Sequence, residues 1–526
     1  MSSQTHCHSL ATADQIANIN RTYLQPTAHK AREQRCRHLP HVNIPRELQV
    51  LSSTITMIRL LLLLATLGVP AVSAQSYKIP GFGEGNAVSL NQEYYLGRAW
   101  LMSFRRQAPI LDDALIQDYV EGLVFRLAER SQLKDRRLEI IVVKNPTINA
   151  FALPGGIVGV HSGLIAKAET QAQFSSVLAH ELAHLSQRHF FRSPEAQKKS
   201  AAASMAGLLN GLVYIAADPA DAGLGGQTAV AGSRLRYSRQ NEQEADHAGI
   251  HNLAAAGLDP GGAAGMFIVM QRESLDDGAQ QPDFLRTHPV TEARISDARN
   301  RAATYPNRIY EDSRNFQLMR ARVALSFIED NSTAIARFRE QRAKGGRSAV
   351  PAQYALVLAL TRNGEVGEAR ELLKPMREFA PDNITYKIAE AEIDIKAADY
   401  DAAIALLHKG LSLSPDNHPL TMSLANAYFK GEHYSKADKL LSRHARSHPS
   451  DAQLWFLLAE IQGKAGNTLG AHQSRAEYFA LNDAIERAIQ QLNAALSLAK
   501  NQITAERIQT RIAYFENIEK ALDSLR

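Results

Sequence analysis

His180, Glu181 and His184 stand in HExxH spacing inside an apolar, helix-forming run over residues 174–185. On a helix, positions i and i+4 share a face, so both imidazoles point to one place and can grip a single metal ion. Glu181, next to the first of them, brings a carboxylate within reach of a metal-bound water. Together these three side chains are the apparatus for zinc-dependent hydrolysis of a peptide bond. A buried helix that merely holds two histidines would spell the same letters, so the rest of the chain has to complete the site.

A catalytic zinc takes three protein ligands and keeps one position open. A third His six residues beyond His184 would fall at position 190, which is Phe190, and His189 is one residue out of register. The other route is a carboxylate from a later helix. Residues 237–249 offer Glu242 and Asp246, four apart and therefore on one helix face. One of the two can bind the metal while the other bonds the far nitrogen of a ligating His and fixes its tautomer. Glu244 lies about 200° around the helix from Glu242 and is expected to face elsewhere. The plain alternative for this segment is a solvated acidic helix face.

These residues need a frame. Residues 89–106 and 112–130 carry apolar positions at three-to-four spacing and read as amphipathic helices. Residues 138–144 are rich in β-branched types and read as a strand. Residues 149–153 and 157–161, joined by Pro154, Gly155 and Gly156, read as a tight hairpin or a pair of short strands. The helix bearing HExxH is expected over about residues 170–191. A small sheet thus precedes it, with an edge strand able to bind an extended peptide by main-chain pairing. Residues 201–217 are apolar and run into a Gly-rich stretch, 218–232, which suits either a buried helix with a loop or a lid over the cleft.

From about residue 312 the chain reads as helical to its end, and it repeats. Pro381, Pro415 and Pro449 are spaced by 34; so are Ala369, Ala403, Ala437 and Ala471, and so are Ala391, Ala425 and Ala459. A 34-residue helix-turn-helix period, with small residues at helix crossings and Pro at the turn, is the tetratricopeptide signature. At least four units are expected over residues 348–481, a degenerate first unit over 315–344, and a capping end over 483–526. The expected fold class is an α+β zincin-type peptidase domain, mostly helical with a small sheet, followed by an all-α tetratricopeptide solenoid. The expected boundary lies between residues 310 and 311.

Residues 57–74 show a basic start, an apolar stretch of about ten residues and a small-x-small end at Ala74, the pattern of a secretory signal peptide. Met57 then reads as the true start, and residues 1–56, polar and without periodic apolar structure, as a non-native, disordered extension. Residues 1–74 hold seven Lys+Arg against three Asp+Glu, a net +4 of the chain's +5, so the high pI argues for no nucleic-acid partner. Both cysteines, Cys7 and Cys36, fall there too. The exported chain has none, which excludes a disulfide framework and a Cys-ligated metal.

HELAH at 180–184, the segment from Ser238 through Glu242 to Asp246, and Thr287, His288, Pro289 and Arg294 further on resemble the M48 family of zinc metallopeptidases. Asn149-Ala150-Phe151-Ala152 ahead of a Gly-Gly turn fits the same family. The resemblance spans nearly all of the chain after residue 74. It implies one Zn2+ per chain, with His180, His184 and Glu242 as ligands, Glu181 as general base and Asp246 behind the ligands. It also singles out His288 as a group that approaches the metal in a latent state and is displaced for activity. Arg294 is assigned to orienting His288 or to binding the oxyanion or a substrate carboxylate, and Asn149 to substrate binding. The signal peptide and repeats narrow the resemblance to periplasmic members concerned with outer-membrane β-barrel proteins. Unfolded or misassembled outer-membrane proteins are then the expected substrates, and the outer-membrane assembly machinery the expected partner of the repeats. Any membrane contact is expected to be peripheral, because no 20-residue apolar span follows residue 74. The competing function is a chaperone or assembly scaffold that acts mainly through its repeats and carries a latent protease site.

Overall fold

The structure, a computed structural model, describes residues 89–192, 237–276 and 283–523. The signal-peptide, extension and lid readings therefore lie outside the described residues. The described residues all belong to one unit.

Helix α1 (Leu90–Gln107) starts at a capping box, with the Ser89 hydroxyl accepting from the Gln92 amide and the Gln92 side chain accepting from the Ser89 amide. Helix α2 (Ala114–Glu129) is capped by Asp113. Three strands follow: β1 (Glu139–Val143), β2 (Ala150–Leu153) and β3 (Ile157–His161). Their order is β1-β3-β2, with β3 parallel to β1 and antiparallel to β2. The turn between β2 and β3 needs its glycines: Gly155 and Gly156 have φ of 89° and 77°, a region closed to most side chains. A Cβ on Gly155 would also stand 2.3 Å from the Glu93 carbonyl oxygen, so the bare turn lets α1 lie against the sheet.

After the short α3 (Ser162–Lys167), Thr170 caps α4 (Gln171–Ser186). Every residue of α4 from Gln173 to His184 is buried, as expected of a helix surrounded on all sides. It packs against α2, β2, α6 (Arg239–Ala255) and α7 (Gly262–Asp276). The expected helix to residue 191 stops early. Arg188 takes φ of 52°, pairs with Glu93 of α1, and turns the chain into the separate α5 (His189–Arg192). Helices α8 (Asp283–Thr287) and α9 (Glu292–Ala302) complete this part, α9 packing on α6 and α7.

The remainder is helical pairs: α10 (Arg314–Ser326) with α11 (Asn331–Ala343), α12 (Ala349–Asn363) with α13 (Val366–Phe379), α14 (Ile384–Lys396) with α15 (Tyr400–Leu413), α16 (His418–Lys430) with α17 (Tyr434–His444), and α18 (Ala452–Lys464) with α19 (Thr468–Leu481), followed by α20 (Ile485–Ser497) and α21 (Gln502–Asp523). The periodic alanines are buried where these helices cross. Two residues after each periodic proline comes a cap: Asn383, Asn417 and Asp451 accept from the amides of Tyr386, Leu420 and Leu454. The period thus encodes the stop of one unit and the start of the next. Helix α10 packs on α3 and α16 on α2, and one hydrophobic cluster runs from Leu115 of the peptidase part to Ile461 of the repeats. Arg322 of α10 fastens the joint, reaching Asp113 at 2.5 Å and Glu392 at 2.8 Å. Among the described residues no helix is long and apolar enough to cross a membrane.

Candidate metal centre

The pitch of α4 does what the motif requires. The Nε2 atoms of His180 and His184 come to 3.0 Å of each other, both rings buried. Helix α6 crosses α4 closely because Gly249 has no side chain; a Cβ there would stand 3.2 Å from the His180 amide nitrogen. That crossing brings Glu242 within 3.6 Å of both Nε2 atoms. His288, just beyond α8, adds its Nδ1 at 2.8 Å from Glu242 and 3.3 Å from His180 Nε2. Donor atoms of His180, His184, Glu242 and His288 all lie within 4.8 Å of one another.

The groups behind these four decide their protonation. Asp246 Oδ1 lies 3.0 Å from His180 Nδ1, and Arg294 grips the same carboxylate with two bonds of 2.8 Å. Burial alone would raise the Asp246 carboxyl, but the bonds from His180 and Arg294 outweigh it and hold it at about 2. An ionised Asp246 keeps the proton of His180 on Nδ1. On the other ring, His184 Nδ1 lies 2.9 Å from His189 Nδ1, and His189 Nε2 lies 3.1 Å from Glu244. Glu244 accepts from His189, so His189 Nδ1 accepts from His184. Burial, and the charges of His180, His288 and His189, hold His184 well below the usual imidazole range. Both Nε2 atoms therefore present lone pairs to each other, with a carboxylate alongside. Such a set repels itself unless a cation stands among its members, and its N2O composition suits Zn2+.

Glu181 occupies the open side. Its Oε1 is buried without a hydrogen-bond partner, 3.6 Å from His288 Nε2, and the Ala152 amide of β2 bonds its carboxylate. Burial first, and then the charge of Glu242, push the Glu181 carboxyl up to about 8, against the pull of His180. Tyr237 stacks on His184 with ring centroids 4.0 Å apart, and Phe284 on His288 at 4.6 Å.

Seven of the eight residues singled out from sequence thus converge: His180, Glu181, His184, Glu242, Asp246, His288 and Arg294. The donors of Arg294 go to Asp246, to Glu242 at 2.8 Å and to the Pro289 carbonyl at 2.8 Å. It stands as a buried clamp on two carboxylates rather than as a group facing substrate. Asn149 is buried at the start of β2, where its carbonyl accepts from the His161 amide; no contact found among the described residues joins it to the cluster. Sequence reasoning missed His189 and Tyr237 as site residues. His189 was out of register for a ligand, and only the break at Arg188 carries it beneath His184. Glu244 does face away from Glu242, and the face it occupies is the one His189 needs.

A profile of peptidase family M48 matches residues 114–302, and one of tetratricopeptide repeats matches residues 394–461. The beta-barrel assembly-enhancing protease of Escherichia coli (strain K12) is 31% identical over 459 residues, covering 86% of this chain and 94% of its own. The chain belongs to peptidase family M48. The protein of the same name from Yersinia pestis is 31% identical over 425 residues, covering 80% of this chain and 87% of its own. The mitochondrial metalloendopeptidase OMA1 of Schizosaccharomyces pombe is 33% identical over 181 residues, 34% of this chain and 50% of its own. This chain is accordingly a metallopeptidase with C-terminal tetratricopeptide repeats, as the HExxH spacing and the 34-residue period predict.

Proposed function

We propose that the chain is a periplasmic zinc endopeptidase that acts on unfolded or misassembled outer-membrane β-barrel proteins, with its repeats engaging substrate or the assembly machinery. The observation that carries the reading is the self-repelling donor set of His180, His184 and Glu242, with the unpartnered Oε1 of Glu181 at its edge. The names of the relatives support the β-barrel context. In this reading His180, His184 and Glu242 hold the metal. A Zn2+ ion bound there supplies Lewis acidity, which polarises a peptide carbonyl and acidifies water. Glu181 takes a proton from the attacking water and returns it to the leaving amine. Asp246 and the His189–Glu244 pair hold the ligand rings in the metal-binding tautomer. Strand β2, whose Ala152 amide reaches Glu181, is the edge beside which an extended substrate would lie.

His288 supports a latent resting state, because it bonds Glu242 and faces Glu181 where substrate must approach. This also favours a scaffold role alongside proteolysis. The deciding experiment compares casein cleavage by the wild-type chain and Glu181→Gln, with zinc content measured and chelator added and reversed. Zinc-dependent cleavage lost in the variant, with zinc retained, is the expected result; an undiminished rate in Glu181→Gln overturns the mechanism. In a strain lacking the gene, full rescue by an inactive Glu181→Gln chain would sink proteolysis as the physiological role.

A further inference from the structure

A second group of imidazoles lies in the repeats. His418 opens α16, His444 closes α17, His448 follows in the loop and Asp451 caps α18. Donor atoms of the three histidines lie within 4.8 Å of one another. His418 Nδ1 is 3.0 Å from His444 Nε2, and the rings stack, His444 on His448 at 4.1 Å and His418 on His448 at 4.9 Å. Asp451 divides its carboxylate: Oδ1 accepts from the Leu454 amide, and Oδ2 faces His418 Nε2 at 3.5 Å.

The repeat fold does not ask for these residues. One period of 34 before and after, the place of His418 is taken by Ile384 and Ala452, that of His444 by Gly410 and Tyr478, and that of His448 by Ser414 and Asn482. The cap is Asn383 or Asn417 in the neighbouring units and an acid only at Asp451, which keeps the cap and adds a charged oxygen. We propose that His418, His444 and His448, with Asp451, form a second metal site, for Zn2+ or a similar nitrogen-seeking divalent ion, at the junction of two repeats.

The surroundings favour a cation. The site borders a cavity of about 520 Å³ between the repeats and the peptidase part, lined also by Asp112, Gln117 and Glu121. Burial raises the carboxyls of Asp112, Glu121 and Asp451, and for Asp112 the charges of Asp451 and Asp113 add to it. A metal there would staple α16, α17 and α18 beside the surface where α16 meets α2, in a region without cysteine.

The test counts zinc per full-length chain after stripping, reloading and dialysis. It is run on the wild type, His448→Gln and Asp451→Asn, and again with His184→Gln added to each. Wild type should hold one zinc more than His448→Gln in both backgrounds, and zinc should raise the Tm of the single His184→Gln variant but not of the double variant with His448→Gln. Asp451→Asn keeps the cap, as Asn383 and Asn417 do, so reduced zinc affinity with an unchanged circular dichroism spectrum separates the loss of His418's carboxylate partner from a lost fold. Equal zinc counts in wild type and His448→Gln, in both backgrounds, overturn the proposal.

Discussion

In the peptidase part, the outer nitrogen of each ligand ring is wired to a carboxylate, His180 to Asp246 directly and His184 to Glu244 through His189. In the repeats, His418, His444 and His448 lie face to face; the one carboxylate oxygen beside them stands 3.5 Å from His418, longer than either contact in the first group, and His448 Nδ1 lies 3.0 Å from the Ser447 hydroxyl. The first group has its tautomers fixed in advance and three acids, Glu181, Glu242 and Asp246, within the site. The second sets stacked rings beside carboxylates that gain from any cation. Wiring of the first kind fits a site that must hold a reactive geometry, while the second suits a structural one.

The sharpest contrast is therefore in turnover. Glu181→Gln preserves shape and the bond from Ala152 but cannot take a proton. Cleavage of casein should fall by about 10²–10⁴-fold, with zinc content and Tm unchanged. A loss below about tenfold, measured as initial rate, would mean that Glu181 is not the base. Next in size is Arg294→Met, which leaves Asp246 and Glu242 buried without their clamp. Removing one partner of a buried pair costs about 3–5 kcal/mol, here read by urea denaturation of the metal-free chain. Zinc should return part of that loss, because the ion then offsets Glu242. An equal loss with and without zinc would show that Arg294 does not share its task with the metal.

The wired site was legible because two helices supply most of it. The i, i+4 spacing of His180 and His184 is a local signal, and Glu242 and Asp246 repeat it on α6. The repeats were legible for a similar reason, their period being written in Pro and Ala at fixed steps. The break at Arg188 was not legible: the left-handed residue in a good helix-forming run comes with a pairing to Glu93 of α1, a tertiary contact. His189 and Tyr237 were hidden with it. Arg294 was visible as a residue but not as a clamp, since its partners come from another helix. The histidines of the repeats left only the four-residue step from His444 to His448, which runs past the end of α17, for His418 joins them only when α16 and α17 fold back on each other.

The two wires of the first site differ in depth, and this orders the remaining effects. Asp246 is buried and touches His180 directly. Asp246→Asn should weaken zinc binding about 10–100-fold, read by competition with a chromophoric chelator. It also frees the His180 ring to take the wrong tautomer, so cleavage at saturating zinc should fall as well. Glu244 acts one residue further out and its side chain is a third exposed. Water can replace its oxygen at His189, and Arg192 and Gln240, its other partners, lie on the exposed side. Glu244→Gln should therefore change zinc affinity by less than about tenfold, because an amide oxygen still accepts from His189. Glu244→Leu, which cannot accept, should cost more than Glu244→Gln in the same assay. If the two variants bind zinc alike, His189 sets the tautomer of His184 without help, and the wire ends one residue sooner than the geometry indicates.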